Sequence, residues 1–176
     1  VTCWIEDQEQ VRKTAEEWHA WPRAVRWWHH LWDALFPEEK RPFFQNAAYL
    51  LQRAELDAID EVNPQARSTV IDPLRTTGQL RLLDGDTPLH SDMRVFATPG
   101  HTPGHQSVLL TSGHERVTVT GDLLVHAIQL LHPELAYAHE MDAGQARASR
   151  EQVLRSRAAG TLHLATPHLT EPFVTR

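Results

Sequence analysis

From about residue 43 onward, short apolar runs alternate with turn formers along the chain. Met93-Arg94-Val95-Phe96-Ala97 has the period-2 pattern of a strand, and Pro99-Gly100 breaks it just before His101. Arg116-Val117-Thr118-Val119-Thr120 is a second such run, broken by Gly121 before Asp122, and Leu162-His163-Leu164-Ala165 is a third, broken by Pro167 before His168. Residues 48–51, 80–83 and 107–110 read as further strands, with turns at Asp84-Gly85-Asp86 and a hairpin at Ser112-Gly113-His114. A helical period begins after Asp142, an N-cap with Gln145 three residues on. That helix is expected to run to about Ala159 and stop at Gly160, with Ala146, Val153, Leu154 and Ala158 toward the sheet. Residues 53–59 read as a short helix start, 63–73 as a loop with some helix, 88–92 as a lead into the next strand, and 125–137 as irregular chain with short helical turns. Strands that include hairpins, alternating with helices, suit an α/β (α+β) fold of layered αββα type.

The first 42 residues differ in composition. All six tryptophans lie there: Trp4, Trp18, Trp21, Trp27, Trp28 and Trp32. Residues 6–18 place Val11, Ala15 and Trp18 on one helical face, and residues 23–36 do the same with Val25, Trp28 and Trp32. Pro22 separates the two, and Pro37 with the polar string to Pro42 ends the second. The expected division is a Trp-rich helical segment, 1–42, and a second part, 43–176. Two accounts of the first segment stand side by side. It is an inserted or replaced helical cover, or it is the product of a damaged reading frame.

At 176 residues one domain is the default. A hydrophobic content of 41% with mixed charge argues for a folded, soluble chain. A net charge of −6 gives no basic footprint for nucleic acid, and no apolar run approaches the roughly 20 residues of a membrane helix. No charged-then-apolar leader is visible, and the single Cys3 excludes an internal disulfide, so the expected location is cytoplasmic.

The candidate chemistry sits where the three strands end. With twelve histidines in the chain, some fall near turns by chance. The repetition of one context at His101, Asp122 and His168 is the stronger signal, because strand ends on one sheet edge bring distant residues to one point. Two imidazoles and a carboxylate suit zinc, manganese or iron. His163 alternates with Leu162 and Leu164 and is expected on the opposite face from them. Ser107, Ser149 and Cys3 lack the setting of a nucleophile, and His19, His90, His114 and His139 are expected at the surface.

The string Thr98-Pro99-Gly100-His101-Thr102-Pro103-Gly104-His105, followed by Gly121-Asp122 and then Pro167-His168, resembles three metal motifs of the metallo-β-lactamase superfamily. Gly121-Asp122-Leu123-Leu124-Val125-His126 with Gln129 and His132-Pro133-Glu134, then Asp142-Ala143-Gly144-Gln145-Ala146 with Ser149-Arg150, is similar to its branch of N-acyl homoserine lactonases and methyl parathion hydrolase-like enzymes. The resemblance covers residues 43 to 173. It implies a sandwich incomplete at its N-terminal half, and a pair of zinc ions sharing a carboxylate, with a metal-activated hydroxide attacking a lactone or related ester. It makes His101 a ligand of one ion, His168 a ligand of the other, and Asp122 the bridging residue on which catalysis turns. Gly100 and Gly104 would let the backbone turn sharply beside the metal. His105 is not a ligand in that motif and is expected to pack beneath the site, while Thr102 and Thr120 either orient ligands or serve as plain turn structure. His126 and His132 fall where the branch borders its substrate pocket, with a polar loop as the alternative.

The superfamily's HxHxDH motif has no counterpart in the sequence. The nearest string, with His29, His30 and Asp33, is either a decayed remnant that refills the site or an ordinary helix bearing two histidines. Three functions therefore stand open. The first is a metal-dependent hydrolase of a small ester or lactone, with one or two zinc ions. The second is a non-catalytic relative that binds a ligand or partner through the old pocket. The third is a truncated product whose exposed sheet face would be covered in a homodimer.

Overall fold

The computed structural model describes residues 2–5, 42, 44–158 and 162–175. The expected helices at 6–18 and 23–36 therefore lie outside the described residues, as do His29, His30 and Asp33. The chain divides into two compact units, one of residues 1–51 and 59–82, the other of residues 52–58 and 83–176.

The first unit carries a three-stranded sheet of β1 (Thr2–Ile5), β2 (Ala47–Gln52) and β3 (Leu80–Leu83), in that order. β1 runs antiparallel to β2, with Thr2 opposite Leu50 and Ile5 opposite Ala47. The stretch Asn63 to Pro73, expected as a loop with some helix, is helical from Pro64 onward. The Asn63 side chain accepts hydrogen bonds from the amides of Gln65 and Ala66, and Pro64 sits at the helix start, where its missing N–H does no harm. A wide turn at Arg67–Ile71 and a last helical segment at Asp72–Thr76 follow. Val70, Ile71 and Leu74 are fully buried there. Asn-Pro reads equally as a loop and as a capped helix start, and this burial decides between them.

The second unit is built on a six-stranded sheet. Its order is β4 (Thr87–His90), β5 (Met93–Ala97), β6 (Gln106–Ser112), β7 (Glu115–Val119), β8 (Leu162–Ala165) and β9 (Phe173–Val174). β4 was not expected as a strand; Thr87 pairs with Val95 and Pro88 with Arg94, so Pro88 sits on an edge strand, where a proline is tolerated. β4 to β7 form an antiparallel meander, and β8 then joins β7 in parallel after a long crossover. That crossover contains the helix Ala143–Ala158. Its N-cap is Asp142, which accepts from the Gln145 amide at 2.9 Å and from the Gln145 side chain at 2.7 Å. Ala146 and Val153 are buried as expected and Leu154 packs against the core, but Ala158 is exposed. The buried face instead includes Ser149 and Arg150. The core joins Val153 to Phe96, Leu123, Leu124, Leu162 and Leu164.

This topology puts the three candidate residues on one edge. β5 and β7 are both antiparallel to β6 and so run in the same direction, and β8 is parallel to β7. In the β7–β8 register Val119 faces Ala165, and Asp122 and His168 each follow their strand's partnered residue by three positions. His101 follows the end of β5 by four.

The turn that carries His101 is seated on the start of the long helix. The hydroxyl of Ser149 donates to the Pro99 carbonyl at 2.8 Å, and the Asp142 amide donates to the Gly100 carbonyl at 2.9 Å. Gly100 has φ +131°, and a Cβ there would lie 2.0 Å from the Ala146 nitrogen. No side chain fits without moving backbone. Gly100→Ala is expected to lower stability by about 3 kcal/mol, from backbone strain together with steric overlap. Urea unfolding of the purified variant beside the parent chain checks this.

Candidate metal centre

Asp122 stands between two imidazoles. Its Oδ2 lies 3.3 Å from Nε2 of His101, and its Oδ1 lies 2.7 Å from Nε2 of His168. All three side chains are partly buried, from 20% exposed at His101 to 33% at His168. Each imidazole thus addresses its own oxygen of a shared carboxylate. Nδ1 of His101 is buried with no hydrogen-bond partner among the described residues.

Asp122 is held from below by His105. The Asp122 amide donates to Nε2 of His105 at 3.0 Å, so that nitrogen is an acceptor and the ring proton of the neutral imidazole is on Nδ1. Nδ1 then donates to the Thr98 carbonyl at 2.9 Å. The buried hydroxyls continue the chain. Ser107 donates to the Thr120 carbonyl at 3.1 Å, which leaves Thr98 Oγ1 to donate to Ser107 Oγ at 2.9 Å. Gly121 closes over the ring with φ +55°, and a Cβ there would meet His105 Nε2 at 2.9 Å. His105 packs beneath the site, as expected, and hydrogen bonds as well. The Gly104 amide donates to Glu55 Oε2 at 2.9 Å, tying the same loop to the helix Arg53–Asp57.

The two threonines differ little from ordinary structure. The Thr102 carbonyl accepts from the Gly100 and His105 amides within the turn, and Thr120 Oγ1 donates to the backbone carbonyls of Gly121 and Ala165. His163 pairs with Glu115 at 2.8 Å, away from the site.

A cavity of about 340 Å³ is lined by Val125, His126, Ile128, Gln129, Leu135 and Tyr137, among others. Tyr137 connects it to His101, for its ring stacks on that imidazole with centroids 6.2 Å apart and planes 17° from parallel. His126 lines this cavity and also caps the turn Ala127–Leu130, its Nδ1 accepting from the Ile128 amide. His132 lies on the exposed surface paired with Glu134 at 3.1 Å. Tyr137 was not singled out from the sequence. It sits in a polar, irregular stretch, and only the folding back of that stretch brings it to His101.

In kind, the donor set fits zinc: two neutral imidazoles and one carboxylate with an oxygen turned to each. In number it supplies the shared carboxylate and one histidine per ion. Among the described residues no group of three or more His, Cys, Asp or Glu side chains is arranged to hold a metal ion, and the two imidazoles address different oxygens.

Strand ends thus converge on a carboxylate between two histidines, and the sequence assigns the family. The model described as the metallo-beta-lactamase superfamily matches residues 14–163, and the chain belongs to that superfamily. It is similar to an N-acyl homoserine lactonase of Bacillus sp., 24% identical over 117 residues, 65% of this chain and 45% of the relative. It is also similar to an N-acyl homoserine lactonase of Bacillus cereus, 30% identical over 67 residues, 38% of this chain and 25% of the relative. Among solved structures, the dizinc quorum-quenching lactonase AidC, in complex with a product, matches with a TM-score of 0.64 at 22% identity, over 82% of this chain and 55% of that one. A variant of AiiA from B. thuringiensis matches with a TM-score of 0.61 at 22% identity, over 73% of this chain and 50% of that one. The chain thus spans half or less of the length of the curated relatives it matches.

Burial opposes the charged form of His105 and holds its pKa below the ordinary imidazole value, against the opposing pulls of the Thr98 carbonyl and the Asp122 charge. The sign follows from linkage. The folded pKa lies below the unfolded value of about 6.5, so the stability tied to the neutral ring is complete above about pH 6.5. It declines as the pH falls from there through the lower folded value. Imidazole ¹⁵N NMR is expected to find His105 with its proton on Nδ1 at neutral pH and a titration midpoint below that of imidazoles in the urea-unfolded chain.

Proposed function

We propose that this chain carries the shared-carboxylate part of a zinc-dependent hydrolase acting on a lactone or related ester. The observation that carries the reading is the seating of Asp122, with His101 against one oxygen and His168 against the other. In this reading Asp122 bridges, His101 and His168 each hold one ion, and Asp122 is the central catalytic residue. When bound, zinc supplies Lewis acidity toward a carbonyl oxygen and an acidified water at neutral pH. The chain's own residues do the rest. The His105 contact fixes the Asp122 backbone, Tyr137 walls the site beside His101, and the cavity lined by Val125, Ile128 and Leu135 receives an apolar part of the substrate. His126 at the cavity wall is the better placed of the two histidines proposed for substrate binding. The resemblance to lactonases supports the ester or lactone class, and the likeness to a dizinc lactonase supports zinc over manganese or iron. His29, His30 and Asp33 remain candidates for further ligands.

A second reading is ligand binding without turnover. It is favoured by the donor count, since the described residues supply one histidine per ion, and the sequence contains no HxHxDH string. The two readings part on metal content. Zinc-supplemented protein is expected to hold one or two zinc ions per chain by mass spectrometry, and Asp122→Ala, His101→Ala and His168→Ala each to lose at least one. His114→Ala, on the exposed β6–β7 hairpin, is expected to retain them. Hydrolysis of a lactone and an ester panel should be lost in the same three variants and kept in the fourth. Zinc absent from parent and variants alike, with no hydrolysis, would select the binding reading.

A further inference from the structure

The stretch 131–141 is poorly supported by apolar burial. Leu131 is 79% exposed, and Leu135, Tyr137 and Met141 are all exposed as well. Hydrophobic burial therefore does little to keep this loop in one conformation. Yet it brings Tyr137 to a stacked position on His101 and forms one wall of the cavity.

What holds the loop is a buried guanidinium. Arg150, on the inner face of the long helix, is 1% exposed, and the carboxylate of Glu140 is 2% exposed. Nη1 of Arg150 forms an ion pair with Glu140. Nε donates to the Pro133 carbonyl at 2.9 Å, and Nη2 donates to the Leu135 carbonyl at 3.3 Å. The same Leu135 carbonyl accepts from the buried Gln129 side chain at 2.9 Å. The rigid fork of arginine suits this work, because it grips three points at once in fixed directions. Two of those points precede Tyr137 and one follows it. The loop then closes through Met141, whose amide donates to the His101 carbonyl at 3.1 Å.

We propose that Arg150 is a positioning residue for the site. Through Glu140 and the carbonyls of Pro133 and Leu135, it fixes the 133–141 loop so that Tyr137 lies on the His101 ring and shapes the adjoining cavity. The importance of that contact for catalysis rests on the hydrolase reading, but the clamp itself is a property of the fold.

The test separates the two. Removing only Arg150 strands a buried carboxylate and endangers folding, so the informative variant is Glu140→Met with Arg150→Met, which removes both charges together. In the parent chain, the hydrogen-bonded amides of Leu135, Glu140 and Met141 are expected to be protected from exchange with deuterium. In the double variant they should exchange at least tenfold faster while β5 to β8 keep their protection. The His101 ring protons, shifted by the stacked phenol, should move to the positions they take in Tyr137→Leu. Arg150→Lys, which keeps the charge and loses the fork, should fall between. Fast exchange of the Leu135, Glu140 and Met141 amides in the parent chain overturns the proposal, and so does a folded double variant with parental protection at those amides and parental His101 resonances. Zinc content measured on the same samples reports on the hydrolase reading alone: its absence from the parent chain would sink that reading and leave the loop result standing.

Discussion

The hydrogen bond from the Asp122 amide to Nε2 of His105 ties together two loops that the sequence keeps 17 residues apart. Its effect depends on direction. A backbone amide can only donate, so His105 must accept there, and its one remaining proton, on Nδ1, faces the carbonyl and the hydroxyl oxygen of Thr98, each at 2.9 Å. The hydroxyls of Thr98 and Ser107 pass the constraint on to the Thr120 carbonyl, one residue before Gly121. Every member of this chain is buried or nearly so and has a partner, which is the condition under which a buried polar network makes a structure unique rather than weakening it. The strand ends of β5 and β7 are thereby held in one arrangement, and the Asp122 carboxylate has a fixed place to stand.

That place explains the asymmetry between ligand candidates and supports. His101, Asp122 and His168 remain partly open to water, as the proposed site requires. The residues behind them are closed off: Thr98, Ser107 and Thr120 are at most 3% exposed, and Arg150 and the Glu140 side chain are equally hidden. A side chain at the edge can be exchanged at modest cost to the fold, since water replaces the lost contact. A member of the buried set cannot, because its partner is left with an unsatisfied group worth about 1–3 kcal/mol, and more where charge is involved.

Much of the fold and the convergence of His101, Asp122 and His168 could be read from the sequence, for a physical reason. Strands that end in Pro-Gly, Gly-Asp and Pro-His advertise both their period and their termination, and the observed β5, β7 and β8 match the runs read from residues 93, 116 and 162 to within a residue or two. His126 and His132 looked equivalent, three-dimensional placement being invisible in a loop; one lines the cavity and the other sits in an exposed ion pair. Residues 63–73 read only as a loop with some helix, because a cap and a proline mark a helix start as well as a turn. Arg150 was missed as a buried residue because a charged side chain at a helical position reads as solvent-facing by default. Only its partners, ten to seventeen residues away, reveal otherwise.

The two supports differ in what they fix, and the difference bears on how such a site can change. The His105 chain connects strand ends within one sheet, where register already limits movement, so it refines a position that the backbone largely sets. The Arg150 fork connects a helix to a loop that has little else to hold it, so there the side chain sets the position outright. Substitutions beneath Asp122 act on a carboxylate that any chemistry at this edge needs. Substitutions at the Arg150 clamp act on the wall of the cavity and leave the carboxylate where it is. Differences in what such a pocket admits are therefore expected to arise in the 125–141 stretch and its anchors, while the edge formed by His101, Asp122 and His168 stays as the sheet dictates.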